Sequence, residues 1–429
     1  MSTVEIVSDS RFATENGSTV SSVAGVPAVN CGDDASWLTK TARRAVLRNL
    51  SQVQGGQILL DDECRRIVLG SGSADNLYAT VQINHSAFFR KTALGGSLGA
   101  AESYLNGDWD CDDLPTLFRI LSRNLNRFPA RGRLHQILAR AAARGRHLLA
   151  RNTRHGSRRN IHAHYDLGND FFELFLDPSM MYSAAVYERP DMTLEEAQTA
   201  RLDRVCQSLE LTPSDHVAEI GTGWGGFACF AASRYGCRVT TTTISQNQYD
   251  YSVRRIREAG LSDRVTVLKQ DYRDLQGRFD KLVSLEMIEA VGRRYYDTYF
   301  RKCAELLKPE GRMLLQAIVM PEQRYRSYLK SVDFIQKYIF PGGCLPSVRA
   351  MADAVSRTSD RRLLELTDFA DGYMRTLREW RRRFHQRLDE VRGLGCSDRF
   401  IRMWDYYLAY CEGAFHEKAV GVVHAVWGR

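Results

Sequence analysis

The run Val217-Ala218-Glu219-Ile220-Gly221-Thr222-Gly223-Trp224-Gly225-Gly226 places a short apolar segment directly before four glycines. In such a pattern a buried strand turns sharply into a helix and leaves free backbone N–H groups facing whatever binds at the bend. Gly221, Gly223 and Gly226 also fit the GxGxxG spacing of dinucleotide sites, a weak signal by itself. A nicotinamide dinucleotide needs an acid near the end of the second strand to hold its ribose. Here that segment reads Thr240-Thr241-Thr242-Thr243-Ile244-Ser245-Gln246-Asn247-Gln248 and contains none. Glu219, two residues before the first glycine, and Asp271, in Gln270-Asp271-Tyr272, would instead repel a pyrophosphate. Carboxylates in these places suit a ligand that carries an ammonium group and an adenine amine, as S-adenosylmethionine does. Either acid alone could also be an ordinary surface carboxylate at a strand end. Trp224 is placed to pack beside such a ligand or in the core.

A glycine bend of this kind needs a rigid sheet behind it. From Leu202 onward short apolar runs at 216–220, 238–243, 265–269, 281–285 and 312–318 alternate with helical patterns. The alternation predicts an α/β fold with a doubly wound parallel sheet and ligands at the carboxyl ends of its strands. Upstream, β-like runs at 57–60, 66–69, 79–83 and 88–93 precede a helical stretch starting near Leu98, which predicts a small α+β domain. The expected organisation is a polar tail over 1–35, the α+β domain over 36–121, a basic segment over 122–160 and a catalytic domain over 161–429.

The 429 residues are 44% hydrophobic and 26% charged, enough apolar material for two cores and too much for a disordered chain. Ten cysteines without a CxxC pair or Cys/His cluster predict neither a disulfide framework nor a metal site. No run of eighteen apolar residues occurs, and the first 36 residues lack the apolar stretch of a signal peptide, so a cytoplasmic chain is expected. The net charge of +8 is concentrated: residues 122–160 hold eleven arginines and no acid. Within it, 137–149 has the pattern of a basic amphipathic helix, suited to an anionic lipid surface. A solvated connector is the plain alternative. A single aromatic ring, Phe128, lies among these arginines, too few for stacking on bases, so nucleic acid is not an expected partner.

Several strings together resemble the cyclopropane-fatty-acyl-phospholipid synthase family, which includes the mycolic acid cyclopropane synthases. They are Glu102-Ser103-Tyr104 with Gly107-Asp108-Trp109-Asp110-Cys111, His164-Tyr165-Asp166-Leu167-Gly168-Asn169-Asp170-Phe171-Phe172, the glycine turn, Glu286-Met287-Ile288-Glu289-Ala290-Val291-Gly292, and Tyr338-Ile339-Phe340-Pro341-Gly342-Gly343-Cys344-Leu345-Pro346-Ser347. The resemblance implies a Rossmann-like class I methyltransferase fold. It implies transfer of a methyl group from S-adenosylmethionine to a cis double bond of a phospholipid acyl chain, followed by loss of a proton and ring closure. A membrane-peripheral enzyme on the inner face, with unsaturated acyl chains as partners, goes with it; the sequence leaves the oligomeric state open, with a homodimer as one option.

The resemblance also assigns roles. Family members hold a bicarbonate base with a Glu, a His, a Tyr and the region of a Tyr-Ser-Cys motif. Here Glu289 and Tyr373 match the glutamate and tyrosine, Tyr182 and Ser183 start the Tyr-Ser-Cys motif, and Gln248 stands where it replaces the missing acid on the ribose. Thr243, Gly225, Asp271 and Tyr272 complete the expected donor site with Glu219, Gly221, Gly223 and Trp224. Two positions depart from the pattern: Ala184 stands at the cysteine and Gln316 at the histidine. Gln316 can donate an amide N–H to an anion but cannot carry positive charge. That leaves ring closure and, as the alternative, a methyl- or methylene-branched chain. Glu286 is expected either to support the cofactor or to cap the next helix. His162, His385, His416 and His424 read as structural histidines, and the aromatic residues after Tyr325 suit either an acyl tunnel or a core.

Overall fold

The computed structural model describes residues 36–62, 65–72, 74–127 and 168–429. The basic segment from residue 128 onward, the helix expected over 137–149 and the start of the string at His164 lie outside them. The chain forms two compact units, Met1–Ala130 and Arg131–Arg429.

In the first unit, strands β1 (Gly56–Asp62), β2 (Arg65–Ser71), β3 (Tyr78–Ile83) and β4 (Trp109–Cys111) form a sheet in the order β2-β1-β3-β4. The run expected to be β-like at 88–93 is helical instead, inside a helix over Ala87–Leu105. Phe88 and Phe89 are both buried, which adjacent residues of a one-sided strand cannot be, because successive side chains point to opposite faces. Phe88 packs edge-on to Trp109 at 6.1 Å between ring centroids. A break at Gly96 (φ 59°) divides this helix, so a helical pattern restarts near Leu98. The helix Leu114–Arg123 runs past residue 121.

In the second unit, β5 (His216–Ile220), β6 (Arg238–Thr243), β7 (Val265–Lys269), β8 (Phe279–Leu285), β9 (Leu307–Val319), β10 (Arg362–Asp368) and β11 (Gly421–Gly428) form one sheet ordered β10-β11-β9-β8-β5-β6-β7. The pairs β9/β8, β8/β5, β5/β6 and β6/β7 are parallel, whereas β11 runs antiparallel to both its neighbours. The five expected strands are therefore present, and the strand order turns back beside β5, where open α/β sheets bind ligands.

Period-two alternation sorts the sheet's two faces. Ala218, Leu282, Met313 and Ala425 pack with Tyr299, Phe300 and Met351 on one side. Val217, Val283, Leu314 and Val426 pack with Leu202, Val205 and Phe227 on the other. Two residues further along this second face, Val217 gives way to Glu219, Leu314 to Gln316, and Val426 to His424. Gln316 is the direct neighbour of Leu285 on β8 and of His424 on β11. A polar layer thus continues the apolar face at the carboxyl ends of the parallel strands.

The helices Ala370–Gln386 and Asp398–His416 pack against each other and carry Tyr373, Trp380, Trp404 and Tyr407. The first of them begins close to the segment 182–186. A Cβ built on Gly372 would lie 2.3 Å from the carbonyl oxygen of Ala185, so only glycine allows this approach.

Candidate active site

The polar layer centres on Glu286, the residue after β8. Its backbone adopts φ 50°, a conformation that side chains other than Asn or Asp seldom take, and its N–H donates to the carbonyl of Gln316 at 2.8 Å. That conformation sends the carboxylate into a ring of donors. Oε1 accepts the N–H of Ala184 at 2.8 Å and the amide Nε2 of Gln316 at 2.7 Å, and Oε2 accepts the hydroxyl of Tyr373 at 2.9 Å. Burial raises the Glu286 pKa above the usual carboxylate range, while these three donors pull it back.

Gln316 is fully buried and oriented from both ends. Its Nε2 also reaches the carbonyl of Ala184 at 3.3 Å, and its Oε1 lies 2.9 Å from Nε2 of His424. Because the amide oxygen only accepts, that His424 nitrogen carries the proton. Burial, with the nearby Arg201 adding to it, holds His424 down at about 3, so the ring is neutral. His424 is structural in the sense expected, and the structure adds what it supports.

Glu289 sits beside this hub. Its Oε1 accepts the N–H of Ile318 at 2.6 Å, and its Oε2 is buried without a hydrogen-bond partner. Burial first, and then the charge of Glu286, push its pKa up to about 8. Tyr373 therefore bonds Glu286 and not Glu289, although all four expected or departing positions (Glu289, Tyr373, Gln316, Ala184) meet around the ends of β8 and β9. The raised pKa makes stability depend on pH. The unfolded chain loses this proton in the ordinary carboxylate range and the folded chain only near 8, so the unfolded state binds fewer protons in between and stability falls as pH rises. Glu289→Gln removes that loss. Its melting temperature relative to wild type should gain at least about 1 kcal/mol in stability, roughly 2–4 °C, between pH 5 and pH 8. A difference independent of pH would contradict the assignment.

The expected donor residues lie at the ends of β5, β6 and β7. Gly221, Gly223 and Gly225 all have positive φ (101°, 52° and 80°), and a Cβ on Gly221 would approach Met287 at 3.2 Å. Glu219 is buried, its pKa is pushed up to about 8 by burial, and its Oε2 has no hydrogen-bond partner. Thr243 donates its hydroxyl to Oε1 of Gln248 at 2.8 Å, both residues being buried. Trp224 is buried with Nε1 donating to Asn169 at 2.8 Å. Asp271 caps the turn after β7 and forms an ion pair with Arg273 at 2.6 Å. Tyr272 turns away into the core, edge-on to Tyr299 at 5.3 Å. The Ser183 carbonyl accepts Nε2 of Gln198 at 2.9 Å, and the Tyr182 hydroxyl meets that of Tyr407 at 2.8 Å.

An orphaned buried carboxylate oxygen beside an open glycine bend fits the ammonium group of S-adenosylmethionine. Among the described residues no cluster of three metal-ligating side chains occurs. Bicarbonate fits less well: the donors it would need, Ala184 N–H, Gln316 and Tyr373, already converge on Glu286.

Arg201, on the helix Leu194–Ser208, is the residue that sequence reasoning missed. It is wholly buried, donates Nε to Gln198 at 3.1 Å, and leaves both terminal nitrogens without hydrogen-bond partners. Burial lowers its pKa to about 10, opposed by the charges of Glu286, Asp177 and Glu219. Its signal in the sequence is faint: an arginine one residue before Leu202, on the inward face of an amphipathic helix.

Aromatic side chains adjoin the hub. Trp380 lies 5.2 Å from Tyr182 and 6.1 Å from Tyr373, and Phe340 lies 6.2 Å from Tyr407, all between ring centroids.

Comparison with known proteins agrees with this geometry. The family described as mycolic acid cyclopropane synthetase matches residues 152–425. The chain is 37% identical over 360 residues to the tuberculostearic acid methyltransferase UfaA1 of Mycobacterium tuberculosis, covering 82% of this chain and 84% of that protein. It is 38% identical over 362 residues to the cyclopropane-fatty-acyl-phospholipid synthase of Escherichia coli, covering 84% and 89%. Among solved structures it is similar to the cyclopropane synthase MmaA2 from Mycobacterium tuberculosis, with a TM-score of 0.60, 29% identity, and 63% and 98% of the two chains covered. The mycolic acid cyclopropane synthase CmaA1 complexed with SAH and CTAB gives the same four values.

Proposed function

We propose, from the premise that the chain belongs to the mycolic acid cyclopropane synthetase family, that it adds a methylene group across a cis double bond of a phospholipid acyl chain. The chain is an S-adenosylmethionine-dependent methyltransferase. When bound, the donor supplies a methyl group on positively charged sulfur and leaves as a thioether, keeping the electron pair of the broken bond. Glu219 would receive its ammonium group, the turn Gly221–Gly225 would let it approach the backbone, and Gln248, in the first turn of the helix after β6, and Asp271, at the turn after β7, would take its ribose and adenine.

An alkene is a weak nucleophile. The residues around it must hold it about 3–3.5 Å from the methyl carbon and keep water from the cation that results. Tyr182, Phe340, Trp380 and Tyr407 supply apolar surface for this, and their ring faces suit a developing positive charge. The single observation that carries the reading is the meeting, at one end of one sheet, of an orphaned carboxylate by a glycine bend and a carboxylate held by three donors and bordered by aromatic rings.

A second reading, methylation that leaves a branched chain without a ring, is favoured by the similarity to UfaA1, whose name describes a tuberculostearic acid methyltransferase. The substrate is presented at the inner face of an anionic bilayer, a reading supported by the eleven arginines of 122–160. Among the described residues no helix is long and apolar enough to cross a membrane.

Expression in a host rich in monounsaturated phospholipids, fed methionine with a trideuterated methyl group, tests the function. The expected product is a saturated ring carrying two deuterium atoms, recognised by high-field cyclopropane signals in deuterium NMR. An exomethylene signal, or a methyl branch that keeps all three deuterium atoms, would select the branched reading. Host lipids free of the label would contradict both.

A further inference from the structure

We propose that the carboxylate of Glu286 is itself the base of the reaction, held in the cradle that an external anion would otherwise fill. This deepens the methyl-transfer reading above and rests on it. Three observations carry it. First, Ala184 N–H, Gln316 Nε2 and Tyr373 hydroxyl come from three separate parts of the chain and all end on this one side chain. Second, the backbone of Glu286 holds φ 50°, where a glutamate is strained by roughly 1–2 kcal/mol. Strain of this kind persists where surrounding contacts hold a group in a working position. Third, Glu286 keeps part of its surface uncovered, unlike Gln316 and Glu219 behind it.

The neighbours set its charge. Arg201 is the buried cation whose field favours the ionised form, and its strongest attraction is to Glu286. The charge of Glu286 helps to raise the pKa of Glu289 to about 8, and on Glu286 itself the three donors and Arg201 favour the ionised form against burial. Gln316, braced by His424, and Tyr373 act as positioning residues: they fix the carboxylate's direction and touch no reacting atom.

The chemical step balances on the acyl chain alone. After the methyl group has joined one alkene carbon, the neighbouring carbon carries a positive charge. Glu286 takes one proton from the new methyl group. The electron pair of that C–H bond forms the second C–C bond, which closes the ring and cancels the charge. The proton rests on the Glu286 carboxyl group and passes to water when the product leaves. Neither an oxidant nor a second reactant is needed.

The test uses the full chain with vesicles of monounsaturated phosphatidylglycerol and S-adenosylmethionine, in buffer freed of carbon dioxide. Wild-type turnover should be the same, within about twofold, with or without added bicarbonate. Glu286→Gln should lose about 100-fold or more, the scale of a removed general base, while its affinity for S-adenosylhomocysteine stays within about threefold. Glu286→Gly relieves the backbone and empties the cradle, so added bicarbonate or formate should restore turnover about tenfold. Wild-type turnover that requires bicarbonate, or Glu286→Gln that keeps wild-type turnover, would overturn the assignment and leave the methyl-transfer reading standing. A wild-type protein that methylates no lipid would overturn that reading, and this one with it.

Discussion

Glu219→Gln weakens binding of the methyl donor about 100-fold or more and leaves the free protein at least as stable as wild type. Glu219 is buried, and one of its oxygens has no hydrogen-bond partner. Without ligand it is a cost to the fold, because burial disfavours its charged form enough to push its pKa to about 8. A ligand ammonium supplies the missing partner. Removing one member of a buried charge pair costs about 3–5 kcal/mol, and each 1.4 kcal/mol is tenfold in affinity. The glutamine has the same shape but no charge, so the loss is read in binding alone. Calorimetric titration with S-adenosylhomocysteine and a thermal melt separate the two effects. An affinity within about threefold of wild type would place the ammonium elsewhere.

Gly372→Ala reverses the usual preference of a helix. At an ordinary helical position alanine is better than glycine by about 1 kcal/mol. Gly372 lies in the first turn of the helix Ala370–Gln386, and its new Cβ would meet the Ala185 carbonyl oxygen at 2.3 Å. That obstacle is backbone, which cannot rotate aside. Either the helix or the segment 182–185 must shift, and the two carry Tyr373 and Ala184, donors on opposite sides of the Glu286 carboxylate. The expected outcome is a loss of about 1–3 kcal/mol in urea unfolding together with turnover reduced at least about tenfold. An unchanged or raised unfolding midpoint would show that the contact is slack.

The fold of the second unit was largely legible because its strands are short apolar runs closed by turn residues, as at 216–220 and 265–269. The run at 88–93 misled because a few apolar residues do not distinguish strand from helix by period alone. Phe88 and Phe89 were resolved only by the burial of both. The site was legible in its parts and not in its connections. Resemblance pointed to Glu289, Tyr373 and Gln316, and the glycine turn pointed to Glu219. Glu286 was legible only as a residue that either supports the cofactor or caps the next helix, since its place at the hub depends on a positive φ and on donors 102 residues upstream and 87 downstream. Arg201 was invisible for a related reason: arginine is almost never fully buried unless paired, so a lone arginine in a helix reads as surface.

The most direct test of the whole account is methyl transfer by the purified chain to vesicles of monounsaturated phospholipid, with the donor labelled in its methyl group. The account predicts label in the acyl chains, with two of the three methyl hydrogens retained. Acyl chains without label, from a protein that demonstrably binds the donor, would contradict it.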